Sequence, residues 1–219
     1  MGNTIAIIPA FNEEKNITSV INATKKYVDE VVVIDDGSSD NTSNISKEAD
    51  FILKHAVNMG KGLALKTGIE FALKRNPELL ITIDADGQHD PSEIPKLIAK
   101  FKEDNADLVI GSRSRPDNMP LLYRYGNFFI HSVFRVLFQN IKDTQSGFRI
   151  IKPEIYEKIK WQASDYGVEA EMLANAGVHN LKCIESPIST IYQDHYKGTT
   201  VIDGVKIVLN MLKWRFLRW

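Results

Sequence analysis

Apolar residues recur in two rhythms along the first half of the chain. Short β-branched runs at Thr4 to Ile8, Glu30 to Asp35, Asp50 to Lys54, Leu79 to Asp84 and Asp107 to Gly111 read as strands. Between the first two, Ile17, Val20, Ile21, Thr24 and Val28 keep helical spacing, and between the last two Ile94, Leu97, Ile98 and Phe101 do the same. Strands alternating with helices predict an α/β fold, a doubly wound and mostly parallel sheet with helices on both faces. The second half is less regular. It offers an aromatic helix candidate from Leu121 to Gln139, a loop at Asp143 to Gly147, a helix around Val168 to Ala176 and a basic helical segment from Val201 to Trp219. No repeat or linker divides the chain, so residues 1–200 are expected to form one domain, with 201–219 as an amphipathic C-terminal helix.

In such sheets ligands gather beyond the carboxyl ends of the strands. Here those ends are polar: Pro9-Ala10-Phe11-Asn12-Glu13, Asp35-Asp36-Gly37-Ser38-Ser39-Asp40, Asp84-Ala85-Asp86-Gly87-Gln88-His89 and Gly111-Ser112-Arg113. Two carboxylates at i and i+2 after a buried strand repel unless a cation or hydrogen-bond donors compensate. Mg²⁺ and Mn²⁺ take one or two carboxylates and let phosphate oxygens complete the shell, so Asp86 and Asp84 are the candidate metal ligands. Gln88 and His89 bring further polar atoms beside them. Asp35 and Asp36 precede their turn and are candidates to accept from nucleobase N–H groups or ribose hydroxyls, Asp36 being preferred, while Ser39 and Asp40 suit a helix cap.

Gly60-Lys61-Gly62 followed by Lys66-Thr67 superficially suggests a phosphate loop, but Leu65 stands where that pattern requires Gly. Lys61 is then either a cation for a diphosphate or a solvated lysine at a helix start. Arg113 and Arg124 offer planar forks for a second anion. Glu169 and Glu171, after Tyr166-Gly167, are candidate bases for an alcohol acceptor, although a solvated helical face is the favoured reading.

Composition narrows the classes. Lys+Arg of 27 against Asp+Glu of 28 gives a net charge of -1, which removes the global basic field of a nucleic-acid binder. The single cysteine, Cys183, forms no internal disulfide and suits a reducing compartment. The N-terminus has no secretory pattern, and nothing approaches the roughly 18 apolar residues of a spanning helix. A cytoplasmic protein that meets membranes only from the side is expected. Lys206, Lys213, Arg215 and Arg218 with Trp214, Phe216 and Trp219 suit an interfacial helix. Val205, Val208, Leu209, Leu212 and Phe216 equally suit a stripe packed on the core.

Together, Ile8-Pro9-Ala10-Phe11-Asn12-Glu13-Glu14, Val33 to Asp40, Asn58-Met59-Gly60-Lys61-Gly62, Asp84 to His89 and Gly111-Ser112-Arg113 resemble family-2 inverting glycosyltransferases. Gln88-His89, Asp143-Thr144-Gln145-Ser146-Gly147-Phe148-Arg149 and Tyr196-Lys197-Gly198 look most like the polyprenyl-phosphate sugar synthases, the dolichyl-phosphate mannose synthase group. The resemblance implies a glycosyltransferase-A fold, with Pro9, Ala10, Phe11, Glu13, Asp35, Asp36, Lys61, Asp84, Ala85 and Asp86 around a GDP- or UDP-linked sugar. It implies a divalent metal, Gln88 near the donor, and Arg113, Arg124 and Lys197 at the acceptor phosphate. A polyprenyl phosphate, a membrane surface and a membrane-anchoring subunit are the implied partners. The chain departs from the pattern at Phe11, where Tyr is usual, and at His195 and Thr200, where Arg and Lys are expected of the mannose synthases.

The implied reaction is in-line displacement, a phosphate oxygen attacking the anomeric carbon while the metal at Asp86 stabilises the departing diphosphate. Transfer to a hydroxyl with Glu169 or Glu171 as base, and a non-catalytic nucleotide-sugar-binding subunit, are the alternatives. A nucleotidyltransferase needs a Gly-rich basic loop, which Pro9 to Glu14 is not.

Overall fold

The computed structural model describes residues 3–113, 134, 135, 138, 140–165, 167–189, 210 and 213–215. In chain order the elements are β1 (Thr4–Ala10), α1 (Ile17–Thr24), β2 (Glu30–Asp35), α2 (Thr42–Ile45), β3 (Phe51–Lys54), α3 (Lys61–Leu73), β4 (Leu79–Thr82), α4 (Ile94–Glu103), β5 (Leu108–Arg113), β6 (Arg149–Ile151), α5 (Tyr156–Ile159), α6 (Val168–Val178) and β7 (Cys183–Ile188). The described strands form one sheet in the order β3-β2-β1-β4-β6-β5-β7. Pairing is parallel except at β6, which runs antiparallel to both β4 and β5.

The central strands are buried on both faces and the edge strands β3 and β7 only in part, and alternation sorts their residues between two cores. Ile5 and Ile7, Val32 and Ile34, Leu108 and Ile110 face one side, with Ala64, Leu65 and Ile69 of α3 and Met172 and Leu173 of α6. Ala6 and Ile8, Val31 and Val33, and Val109 face the other, with Ile17, Val20 and Ile21 of α1 and Ile94 and Leu97 of α4. The helical spacings expected around Ile17 and Ile94 are thus the faces that α1 and α4 bury.

Two features of the sheet create a polar rim. β4 ends at Thr82, two residues earlier than the hydrophobic run suggests, so the chain has left the ladder before Asp84. Because β6 is antiparallel, its N-terminal end stands at the edge where β1, β2, β4 and β5 finish. Arg149 pairs with Thr82 and Ile110, and the segment 143–148 therefore enters this same rim. Pro9 is tolerated in a central strand for a related reason. Ile7 O accepts from Ile83 N, so Pro9, two residues on, turns its missing N–H toward the side where β4 has ended.

Among the described residues no helix is long and apolar enough to cross a membrane. Of the C-terminal segment, Trp214 is buried and joins the α3 and α6 core, while Lys213 and Arg215 are exposed. Trp214 was expected among the aromatics of an interfacial face, and its burial instead favours core packing at that position.

Candidate active site

Four backbone segments meet at the rim. Residues 11–14 are laced to 38–42: Asn12 N donates to Ser38 Oγ (2.9 Å), Ser39 N to Asn12 Oδ1 (2.9 Å), Glu13 N to Thr42 Oγ1 (2.8 Å) and Glu14 N to Asp40 Oδ2 (3.1 Å). Asp40 Oδ1 also takes Thr42 N at 2.9 Å, the cap-like role expected of it. Phe11 stands out of this lacing, 44% exposed, as a free aromatic face. Pro9, Ala10 and Ala85 are buried, so their side chains are enclosed within the fold.

The acidic pairs divide their work. Asp36, expected to meet the base, is 3% exposed and accepts from Met59 N (2.9 Å) and Gly60 N (2.7 Å), with His55 Nδ1 2.7 Å from Oδ1. His55 Nε2 lies 3.0 Å from Thr67 Oγ1 on α3. The Asp36 carboxylate thus holds the loop before α3 through these amides. Asp35 is fully buried, accepts from Ser38 N at 2.9 Å and has Lys54 Nζ 3.5 Å from Oδ2.

Lys61 is neither solvated nor directed at an open anion site. Its ammonium lies 2.5 Å from Asp84 Oδ1 and 2.6 Å from Glu169 Oε1. Burial pulls the Lys61 ammonium down, but Asp84 and then Glu169 outweigh it and hold it above the usual lysine range. Burial likewise pushes Asp84 up, and Lys61 with His89, whose Nε2 is 3.4 Å away, overcomes it and keeps the acid well below the carboxylate range. Asp84 is therefore neutralised by protein, in keeping with the division that makes Asp86 the preferred candidate metal ligand and gives Asp84 to the donor sugar or ribose. Gly147 makes this possible: a β-carbon there would stand 2.5 Å from both Asp84 oxygens.

Asp86 behaves oppositely. Burial raises its carboxyl, Gln88 N (2.9 Å) lowers it, Asp84's charge raises it again, and the acid stays above its ordinary range. Glu13 is raised too, by burial, against the Asn16 hydrogen bond and with the charges of Asp86, Asp40 and Asp84. A cation at Asp86 would relieve both. Among the described residues no cluster of three or more His, Cys, Asp or Glu stands together to cage a metal. The Asp86 carboxylate has the chemistry of a hard-ion ligand, since such ions take one or two carboxylates and let phosphate and water oxygens complete the shell.

Arg113 is pinned. Its Nε and Nη2 reach Asp143 Oδ2 and Oδ1 at 2.9 and 3.0 Å, a bidentate pair that fixes the plane of the fork. Burial works against the Asp143 carboxylate, yet Arg113 holds it below its usual range. Glu185 on β7 accepts from Lys142 N and Asp143 N at 2.9 and 2.8 Å and so steadies that pair. Arg124, Lys197, His195 and Thr200 lie outside the described residues.

Glu169 and Glu171 are buried, at 3% and 2% exposure, which overturns the solvated face. Glu169 joins Lys61, and Glu171 accepts from Gln162 N and Ala163 N. Sequence reasoning gave no role to Arg149, which is fully buried and donates to the carbonyls of Ser146 (2.9 Å), Glu169 (3.0 Å) and Thr144 (3.2 Å). It joins the Gly147 wall of Asp84 to the start of α6. Its signal lay in the Asp143 to Arg149 segment, whose arginine ends a run of small polar residues.

A sheet with a reversed sixth strand, an acidic pair beyond β4 and a second acid pair at the end of β2 define a glycosyltransferase of the GT-A fold. The chain belongs to glycosyl transferase family 2, whose family model matches residues 5–160. A UDP-N-acetylglucosamine–dolichyl-phosphate N-acetylglucosaminyltransferase of Methanococcus voltae is 34% identical, over 94% of this chain and 93% of its own. An uncharacterised Methanocaldococcus jannaschii protein is 39% identical, over 94% and 89%. In structure, glucosyl-3-phosphoglycerate synthase from Mycobacterium tuberculosis, in complex with Mn²⁺, uridine diphosphate and phosphoglyceric acid, aligns with a TM-score of 0.77 at 18% identity, over 98% of this chain and 79% of that one.

Proposed function

We propose that the protein transfers a sugar from a nucleotide-sugar to a polyprenyl phosphate, with inversion at the anomeric carbon and with a divalent ion at Asp86. The carrying observation is the division of the acidic pair: Lys61 already neutralises Asp84, whereas Asp86 is pressed upward by burial and by Asp84's charge. A divalent ion at Asp86 would supply charge neutralisation to the departing diphosphate. Phe11 offers a face to the nucleoside, and Asp36 shapes the donor loop through Met59 N and Gly60 N. Arg113 and Arg124 hold the acceptor phosphate, Asp143 fixing the Arg113 fork. The name of the Methanococcus voltae relative makes UDP-N-acetylglucosamine the first donor to try. A lipid acceptor brings the enzyme to a membrane surface, where an anchoring subunit would be a natural companion.

The employment of the two glutamates supports a phosphate acceptor over an alcohol. A phosphate monoester with its second pKa near ~6 is already an anion at neutral pH and needs no base. An alcohol needs one, and Glu169 and Glu171 are engaged by an ammonium and by two backbone amides. Glu169→Gln is expected to lower transfer by less than about tenfold and to keep the form of the pH–rate profile, against the roughly 10²–10⁴ that a general base supplies. A loss beyond about 100-fold together with disappearance of the acidic limb would establish base catalysis instead.

A further inference from the structure

A strap, residues 160–165, crosses from α5 to α6 and presses on the start of α3. It meets α3 through carbonyls and through one indole N–H. Gly62 N donates to Ser164 O at 2.8 Å, and Trp161 Nε1 donates to Gly62 O at 3.0 Å. The approach is so close that a β-carbon on Gly60 would stand 2.2 Å from Ser164 O, and one on Gly62 would stand 2.1 Å from Ala163 O. Lys61 lies between these two glycines, so the seat of the strap sets where its side chain begins. Its Nζ must then end between Asp84 and Glu169.

The strap is held from behind by α6. Glu171 Oε1 accepts from Gln162 N at 2.8 Å and Oε2 from Ala163 N at 2.9 Å, and Asn175 Nδ2 donates to Lys160 O. A buried carboxylate that takes one amide on each oxygen fixes the Trp161–Gln162 and Gln162–Ala163 peptide planes, from which the chain runs directly into the Ala163 and Ser164 carbonyls that face α3, and charge-assisted bonds of this kind are stronger than neutral ones. We propose that Glu171 is a positioning residue: through the strap it keeps Lys61 in register between Asp84 and Glu169. The inference rests on the proposed transfer reaction only for its consequence in turnover. Its structural half stands apart.

Two measurements on the full chain test it. Glu171→Gln keeps the shape but offers one acceptor oxygen to two amides, so amide hydrogen exchange should quicken together at 161–164 and 60–64 while the sheet core stays protected. The same change should lower kcat about tenfold, since small misplacements far from the chemistry are costly. In a Lys61→Met background it should change kcat by less than about twofold, the non-additivity of residues acting through one another. Glu171→Asp, with charge retained but reach shortened, should fall between wild type and Glu171→Gln. Unchanged exchange at 60–64, an equal loss in both backgrounds, or loss of the acidic limb of the pH–rate profile would overturn the proposal. If the wild type transfers no sugar, the transfer reading fails, and exchange alone then decides whether Glu171 seats the strap.

Discussion

Asp86→Asn is expected to cost about 10³-fold in turnover while raising the melting temperature by about 2 °C in the ligand-free protein. Asn keeps an oxygen for Gln88 N but removes a charge that burial and Asp84 disfavour. The sign follows from linkage. A carboxyl raised in the folded state binds its proton more tightly there than in the unfolded chain, so stability is lost as pH rises through the window above the ordinary aspartate value. The variant's advantage is therefore full at neutral pH, fades as pH falls through that window and is gone below about pH 4. Mn²⁺ with a nucleoside diphosphate should reverse the order, raising the wild-type melting temperature and leaving the variant's unmoved. Thermal melts with and without these ligands decide it. A less stable variant in their absence would mean that Asp86 holds the fold rather than a cation.

Gly147→Ala should lower stability by about 1–3 kcal/mol, the usual cost of overpacking, and transfer by about 100-fold. The added methyl would stand 2.5 Å from both Asp84 oxygens. The backbone cannot easily retreat, because Gly147 O accepts from the buried Thr82 Oγ1 at 2.7 Å and Arg149 anchors the carbonyls of Thr144 and Ser146 just before it. Asp84 must then leave Lys61 and His89, and a buried ammonium loses one of its two carboxylates. Denaturant unfolding of single and double variants isolates the cause. In an Asp84→Ala background, Gly147→Ala should add little, because the oxygens that it strikes are gone. A full additional penalty there would place the damage elsewhere.

The parallel half of the sheet was legible because β1, β2 and β4 are apolar runs buried on both faces and their polar residues begin where the ladders end. β6 and β7 were not. β6 has only three residues, too few to show a period, and β7 carries Glu185 and Pro187 within its run. The rim was readable as a set of motifs, but the employment of each acid depended on partners remote in sequence. Lys61 read as a diphosphate cation or a solvated lysine because nothing near it in the chain announces Asp84 and Glu169. Asp36 looked available for a base because the amides of Met59 and Gly60 reach it only after β3 and its loop have folded back. For α6 the signal was present. Glu169 and Glu171 are two apart, so they do not share a face, and one solvated stripe could not have held both. Every residue from Val168 to Ala176 is buried. Arg149 escaped notice because a fully buried arginine without a bonded carboxylate is rare, and carbonyl oxygens, which no residue code reveals, are what satisfy it.

The central claim is metal-dependent transfer to a lipid phosphate. It is tested most directly by offering labelled UDP- and GDP-sugars, UDP-N-acetylglucosamine first, with a short polyprenyl phosphate and the matching alcohol, in Mn²⁺ or excess chelator. Label is expected in the lipid product only when the phosphate acceptor and the metal are both present. Transfer to the alcohol, transfer undiminished by the chelator, or donor binding without any transfer would contradict it.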